Sequence, residues 1–205
     1  AAQAIVERSD VYTDASSFST SAIAPMLING TVAHPPFSYS ARLTAGDDDA
    51  FGLIFGYQNE SNFYRLGFAR QARNGFPRQG WTIDRKSNGV TSVVAGPSTS
   101  FNNTAGRPFD VSLSVDASNR LTLTVVDDPA GAATSHLLVN AQRLPAAADG
   151  KVGAFTWGMS GGTPRGFLIQ NLSLSPSPLQ GDPEWARVWT PVIPPRSDGS
   201  TTLAG

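Results

Sequence analysis

The sequence predicts an all-β protein of two antiparallel sheets packed face to face, and three observations predict it. Period-two alternation of apolar and polar residues recurs along the 205 residues, while long 3.6-residue patterns do not. Turn chemistry separates about ten or more short segments of this kind, the spacing of a two-layer sandwich. Glutamate and lysine are scarce, the only glutamates being Glu7, Glu60 and Glu184, so the ordinary exposed surface of helices is missing. A propeller would need a repeat of roughly 40–50 residues, and the chain has none.

The strands follow in order. Phe37, Tyr39, Ala41 and Leu43 alternate with Ser38, Ser40 and Arg42, the pattern of a half-buried strand. From Ala50 to Gln58 one face is expected to carry Phe51, Leu53, Phe55 and Tyr57, and the other Ala50, Gly52, Ile54 and Gly56. Glycine on that second face lowers strand propensity and suits a close approach by another group. After the polar turn Gln58–Asn62, the strand Phe63–Arg70 puts Tyr64, Leu66 and Phe68 opposite Phe63, Arg65, Gly67 and Ala69, completing a hairpin. Gly80–Lys86 and Val90–Ala95 flank Ser87-Asn88-Gly89, a tight turn because Asn and Gly tolerate positive φ. Phe109–Val115 and Leu121–Val125 alternate cleanly around Ala117-Ser118-Asn119. Asp127 and Asp128 form a turn with Pro129 and Gly131, weaker strands follow at Ser135–Val139 and Gly150–Thr156, and Phe167–Leu174 closes the set. Ala146-Ala147-Ala148 has the composition for a short helical turn but lacks an apolar stripe. Prolines crowd the tail from Leu179, which sets a boundary between a core domain over 1–178 and an extension over 179–205. Trp185 and Trp189 are apolar enough to pack part of that tail back.

Composition excludes several classes of function. A net charge of −1 gives no electrostatic case for nucleic acid or an anionic membrane. No apolar run reaches the length of a membrane span. The absence of cysteine removes disulfides, zinc thiolate sites and cysteine nucleophiles. A start in small residues, Ala1-Ala2-Gln3-Ala4, fits a secreted or surface protein and equally fits a cut boundary. The Arg-rich, Lys-poor, Ala-rich composition suits a bacterial source.

Asp47, Asp48 and Asp49 lead directly into the apolar strand Ala50–Gln58. Adjacent carboxylates repel one another unless water screens them or a cation neutralises them. Ca²⁺, a hard cation taking six to eight oxygens, suits such a turn. In an extended strand only Asp47 and Asp49 would converge; in a loop all three would. Asp14 is a further candidate ligand from near the start of the chain. The alternative for the whole run is a solvated acidic turn.

The run Asp47-Asp48-Asp49-Ala50-Phe51-Gly52-Leu53-Ile54-Phe55-Gly56-Tyr57-Gln58, then Ser61-Asn62-Phe63-Tyr64, resembles the lectin-like C-terminal domain of thrombospondins. Gly150-Lys151-Val152-Gly153-Ala154-Phe155 followed by Phe167-Leu168-Ile169-Gln170-Asn171-Leu172 is similar to the laminin-G-like and concanavalin A-like sandwiches more generally. The resemblance implies a concanavalin A-like jelly roll of two antiparallel sheets that binds Ca²⁺ and recognises glycans or proteins. The stretch from Gln71 to Asp149 does not share it, and the upstream calcium repeats and the cysteine of that family are absent.

Sugars present apolar C–H faces and hydroxyl edges, so a binding site needs aromatic platforms beside polar forks. Tyr57, Trp81 and Trp157 are the candidate platforms, with a place in the core as the alternative, and Arg65 and Arg85 the candidate forks; Arg165, in the Gly-rich loop after Trp157, is a further candidate contact. Tyr64 reads as a core residue. Catalysis finds little support: the Glu-x-Asp-x-x-Glu spacing of sandwich glucanases is missing, Glu60 stands alone in a turn, and His34 and His136 lack partners in sequence. The chain therefore reads as a non-catalytic, calcium-supported adhesion module for a polysaccharide or an extracellular protein. A polysaccharide lyase or hydrolase and a structural spacer are the alternatives.

Overall fold

The computed structural model describes residues 5–7, 26–46, 48, 50–71, 79–127, 133–157, 167–176 and 185–187. Alternating apolar residues can leave water together only when their strands pair and one face meets a second layer. The described residues form β1 (Ile5–Glu7), β2 (Met26–Ala33), β3 (Phe37–Ala45), β4 (Ala50–Asn59), β5 (Asn62–Ala69), β6 (Gly80–Ser87) and β7 (Val90–Ser98). They continue as β8 (Phe109–Val115), β9 (Arg120–Asp127), β10 (Thr134–Arg143), β11 (Gly150–Trp157), β12 (Phe167–Ser175) and β13 (Trp185–Arg187). One sheet runs β1-β12-β3-β8-β9-β10 and the other β13-β2-β11-β4-β5-β6-β7, every pairing antiparallel. Two antiparallel sheets with these crossed connections make a jelly-roll sandwich, and no helix occurs among the described residues.

The core lies between the sheets. Phe51 and Phe68 from the seven-stranded sheet meet Phe109 and Phe167 from the six-stranded one, with Phe51–Phe167 at 4.9 Å and Phe68–Phe109 at 5.0 Å between centroids. Tyr39 reaches across the sandwich and donates its hydroxyl proton to the Gly153 carbonyl at 3.0 Å. Complete burial holds its phenol far above the ordinary tyrosine range.

Three expectations change. The strand Met26–Ala33, with Asn29 and Gly30 in its middle, was not marked by the pattern, yet it pairs with both β11 and β13. Gly56 adopts φ +56°, and the β4–β5 register shifts between Phe55 and Asn59. That shift turns Tyr57 out of the alternation that takes Phe51, Leu53 and Phe55 into the core, and sends it to the other side of the sheet. Ala146–Ala148 forms no helical turn. Its backbone is engaged from outside: Tyr64 Oη donates to the Ala146 carbonyl at 2.7 Å and accepts from the Ala146 N–H at 3.0 Å. Asn119, itself at φ +59°, donates to the Ala146 carbonyl and accepts from the Ala148 N–H. Groups bonded in this way have no need of a helical ladder.

A Cβ at Gly52 would lie 2.0 Å from the Leu66 carbonyl oxygen, inside the β4–β5 pairing. Gly52→Ala must push the two strands apart, and we expect a loss of about 3 kcal/mol or more, read from the denaturant midpoint. Tyr39→Phe leaves the Gly153 carbonyl buried without its donor and should lower stability by about 1–3 kcal/mol. The raised Tyr39 pKa means the folded state keeps its proton where the unfolded chain would lose it. Stability linked to Tyr39 is therefore present below the ordinary tyrosine value and is lost as pH rises above it. Phenolate absorbance should show one tyrosine ionising only with unfolding in alkali, and that step should vanish in Tyr39→Phe.

Candidate functional site

The side of the seven-stranded sheet that faces away from the core carries a second set of side chains. Because β5 alternates, Tyr64, Leu66 and Phe68 point into the core, and Phe63, Arg65, Gly67 and Ala69 point outward. β6 behaves likewise, with Trp81 and Ile83 inward and Thr82, Asp84 and Lys86 outward. The β5–β6 register sets Arg65 directly opposite Asp84 and Phe63 opposite Lys86. On the other side of β5, Gly67 lies opposite Gly52, and Arg65 opposite Ile54.

This outer face is buried and charged. Arg65 is 7 % exposed and Asp84 0 %, and the Arg65 Nε–H donates to Asp84 Oδ2 at 3.1 Å. The Arg65 guanidinium also lies 5.2 Å from the centre of the Phe155 ring. Asp84 Oδ1 has no hydrogen-bond partner, and neither has Thr82 Oγ1 two residues earlier on the same face. Burial pushes the Asp84 carboxyl above its ordinary range, while the Arg65 guanidinium and then the Lys86 charge pull against that rise. Burial lowers the Lys86 ammonium, the nearby Arg65 charge lowers it further, and Glu60 and Asp84 oppose this.

The face ends at the β4–β5 turn in an aromatic pair. Tyr57, turned outward at Gly56, stacks with Phe63 at 6.2 Å, and the Lys86 ammonium lies 5.9 Å from the Phe63 ring centre. Tyr57 is half-buried, and its phenol is raised by burial and then by the Glu60 charge. The turn that holds Glu60 is firmly built. Asn59 Oδ1 accepts from Ser61 N–H at 2.9 Å, and Asn62 Oδ1 accepts from Asn88 N–H at 3.1 Å, which ties this turn to the β6–β7 turn beside it.

The residues singled out by sequence fall in different places. Tyr57 and Arg65 share this face. Trp81 does not: it is 5 % exposed in the inter-sheet core, with its indole N–H donating to Ser100 Oγ at 3.0 Å. Its size, the reason for considering it a platform, is used to fill the core. Arg85 follows Trp81 and Ile83 in the alternation and lies 5.8 Å from the Tyr64 ring, on the opposite side of the sheet from Arg65. Trp157 ends β11, and its side chain lies outside the described residues, as do Asp14, Asp47, Asp49 and Arg165. Of the acidic turn, Asp48 is described: its carbonyl accepts from the N–H groups of Arg70 and Gln71, at 3.0 and 3.3 Å, which anchors the turn to the end of β5. Among the described residues, no group of three or more His, Cys, Asp or Glu is placed to hold a metal ion.

Asp84, Lys86 and Phe63 were not anticipated as site residues. In Thr82-Ile83-Asp84-Arg85-Lys86 the polar positions read as an ordinary solvated face. Only the register with Arg65, across the intervening loop, reveals a buried pair.

No family model and no curated protein matches the chain. Solved structures similar to it include galectin-Ib of Xenopus laevis, at 13% identity and a TM-score of 0.46 over 74% of this chain and 99% of that one. A homodimeric agglutinin from chicken liver, CG-16, gives 11% and 0.48 over 74% and 99%. A toad ovary galectin in complex with thio-digalactose gives 13% and 0.46 over 75% and 100%. The likeness is one of architecture alone. The resemblance to thrombospondin and laminin-G sequences has no counterpart among these matches, and what stands is the jelly roll.

Removing one partner of the Arg65–Asp84 pair strands a buried charge. Arg65→Ala should cost about 3–5 kcal/mol, whereas the apolar double variant Arg65→Met/Asp84→Leu should recover most of that loss. Urea denaturation of the three proteins measures the difference.

Proposed function

We propose that the chain is a non-catalytic carbohydrate-binding module whose sugar-facing surface is the outer face of the seven-stranded sheet at its β4–β5 turn end. The observation that carries this reading is the group formed by Tyr57, Phe63, Arg65, Asp84 and Lys86. Tyr57, half-buried at the rim, is its open aromatic surface, and the charged side chains lie set down beside it on the same sheet face. A pyranose needs this pairing, an apolar ring surface for its C–H face and donors and acceptors for its hydroxyls. A hydrolase would need two carboxyl groups facing each other across the bond to be cut. Asp84 is instead bonded to Arg65 at the floor of the face, and Glu60 stands in the exposed turn.

Affinity electrophoresis through gels containing a panel of soluble polysaccharides tests the reading. At least one polymer should retard the protein, and Tyr57→Ala should weaken that retardation by about tenfold or more, the usual effect of removing an aromatic anchor. No retardation by any polymer, or a Tyr57→Ala protein that binds like the parent, would overturn it.

Calcium at Asp47–Asp49 is a separate proposal, supported by the crowding of carboxylates in a turn whose backbone is tied to β5 through Asp48. With free Ca²⁺ about a hundredfold above its dissociation constant, stability should rise by about 2.7 kcal/mol over the protein in EDTA. Identical melting in calcium and EDTA would remove the ion from the picture.

A further inference from the structure

On the outer face of β5 and β6, two cations, Arg65 and Lys86, accompany one carboxylate, Asp84, and all three are buried. Glu60, in the exposed β4–β5 turn, also acts on the Lys86 charge, and Lys151, exposed and opposite Tyr57 in the β4–β11 register, adds a cation at the rim. Three cations, Arg65, Lys86 and Lys151, thus face two carboxylates, Asp84 and Glu60, beside the aromatic pair. Nor are the donors used up. Arg65 engages Asp84 through Nε, and among the described residues neither its two Nη groups nor Lys86 Nζ forms a hydrogen bond. The Nη edge of a guanidinium matches the two oxygens of a carboxylate or sulfate. On the acceptor side, Asp84 Oδ1 and Thr82 Oγ1 are buried atoms without partners. Buried polar atoms are nearly always bonded, so these two are an unsatisfied floor beneath the cations, and the open donors above them are the Arg65 Nη groups and Lys86 Nζ.

We propose that this face takes an acidic sugar: an anionic substituent, carboxylate or sulfate, seats between the Arg65 guanidinium and the Lys86 ammonium. The inference rests on the carbohydrate reading above and adds the class of sugar. The excess charge supplies the preference for an anion, and half-buried Tyr57, stacked on Phe63, offers the apolar surface. The protein as a whole has a net charge of −1, so any preference for an anionic polymer must come from a local arrangement.

The test compares three polymers on the full chain: a polyuronate, a sulfated glucan and the same glucan without sulfate. Binding to the acidic polymers should exceed binding to the neutral glucan by about tenfold or more, and it should weaken with added salt. Lys86→Gln, which keeps the aliphatic stem against Phe63, should bring acidic and neutral binding close together, with thermal melting used to confirm folding. Arg143→Gln, on the exposed edge of β10 in the other sheet, should leave the acidic preference unchanged. A polyuronate preferred over the sulfated glucan assigns the anion to a carboxylate, and the reverse order assigns it to sulfate; either result supports the site. Equal binding of acidic and neutral polymers, or a Lys86→Gln protein that keeps its acidic preference, overturns the inference while leaving the carbohydrate reading intact. Should Lys86→Gln fail to fold, the salt response of the unmodified protein decides, since salt-insensitive binding to the polyuronate also overturns it. Failure of every polymer to bind removes the carbohydrate reading itself.

Discussion

Four phenylalanines at the centre of the sandwich hold the two sheets in one relation, and every surface feature inherits that relation. Phe51 touches Phe68 beside it in the same sheet and Phe109 and Phe167 across the gap, and Phe101 closes the group against Phe68 and Phe109. Aromatic rings in tilted and edge contact bury large areas in defined geometry. Because side chains alternate along a strand, a ring locked inward at Phe51 or Phe68 also determines which residues of β4 and β5 face outward. A slip of one residue would exchange the two faces throughout. The charged outer face is therefore a consequence of core packing on its other side.

That outer face departs from the usual solvated surface of an antiparallel sheet. Met26, Ile28, Ala50, Ile54, Phe63, Ala69 and Phe155 form a second buried apolar cluster there, and Tyr57 packs against it. Within this cluster Arg65 and Asp84 face each other by register, so the pair is set by backbone hydrogen bonds before any side-chain attraction acts. An ion pair so placed contributes little net stability compared with apolar residues of the same volume. The contrast with Arg42 and Asp110 is instructive. They make a two-pronged pair at 2.7 and 2.8 Å on the six-stranded sheet, but both are partly open to water, and their contribution is that of an ordinary surface pair.

The segment Leu144–Ala148 shows a third use of side chains, to hold irregular backbone in place. Asn119 bonds to Leu144, Ala146 and Ala148, and Tyr64, stacked on Phe55 at 5.1 Å, bonds to both backbone groups of Ala146. Gly56 fits against this segment, where a Cβ would come within 3.2 Å of the Ala148 backbone. The same glycine makes the register shift that sends Tyr57 outward. Loop, bulge and aromatic platform are thus coupled through contacts that lie far apart in sequence.

The all-β class, most strand positions and the inward residues of β3, β5, β8 and β9 were legible in the sequence, because period-two alternation is a local property that burial merely reads out. The tight turn at Asn88-Gly89 was legible for the same reason: both residues take positive φ, at 50° and 83°, as their chemistry allows. β2 was not legible, since Asn29 and Gly30 weaken its pattern and its place depends on pairing with β11 and β13. The aromatic content did not show which rings fill the core and which face outward. Trp81 and Tyr57 look alike in the alternation, yet one fills the core and a register shift at Gly56 turns the other outward. Asp84 and Lys86 read locally as solvated polar positions. Only the pairing of β5 with β6 could set them beside Arg65 in a buried face, because partner and burial are properties of register and layering that no single strand contains.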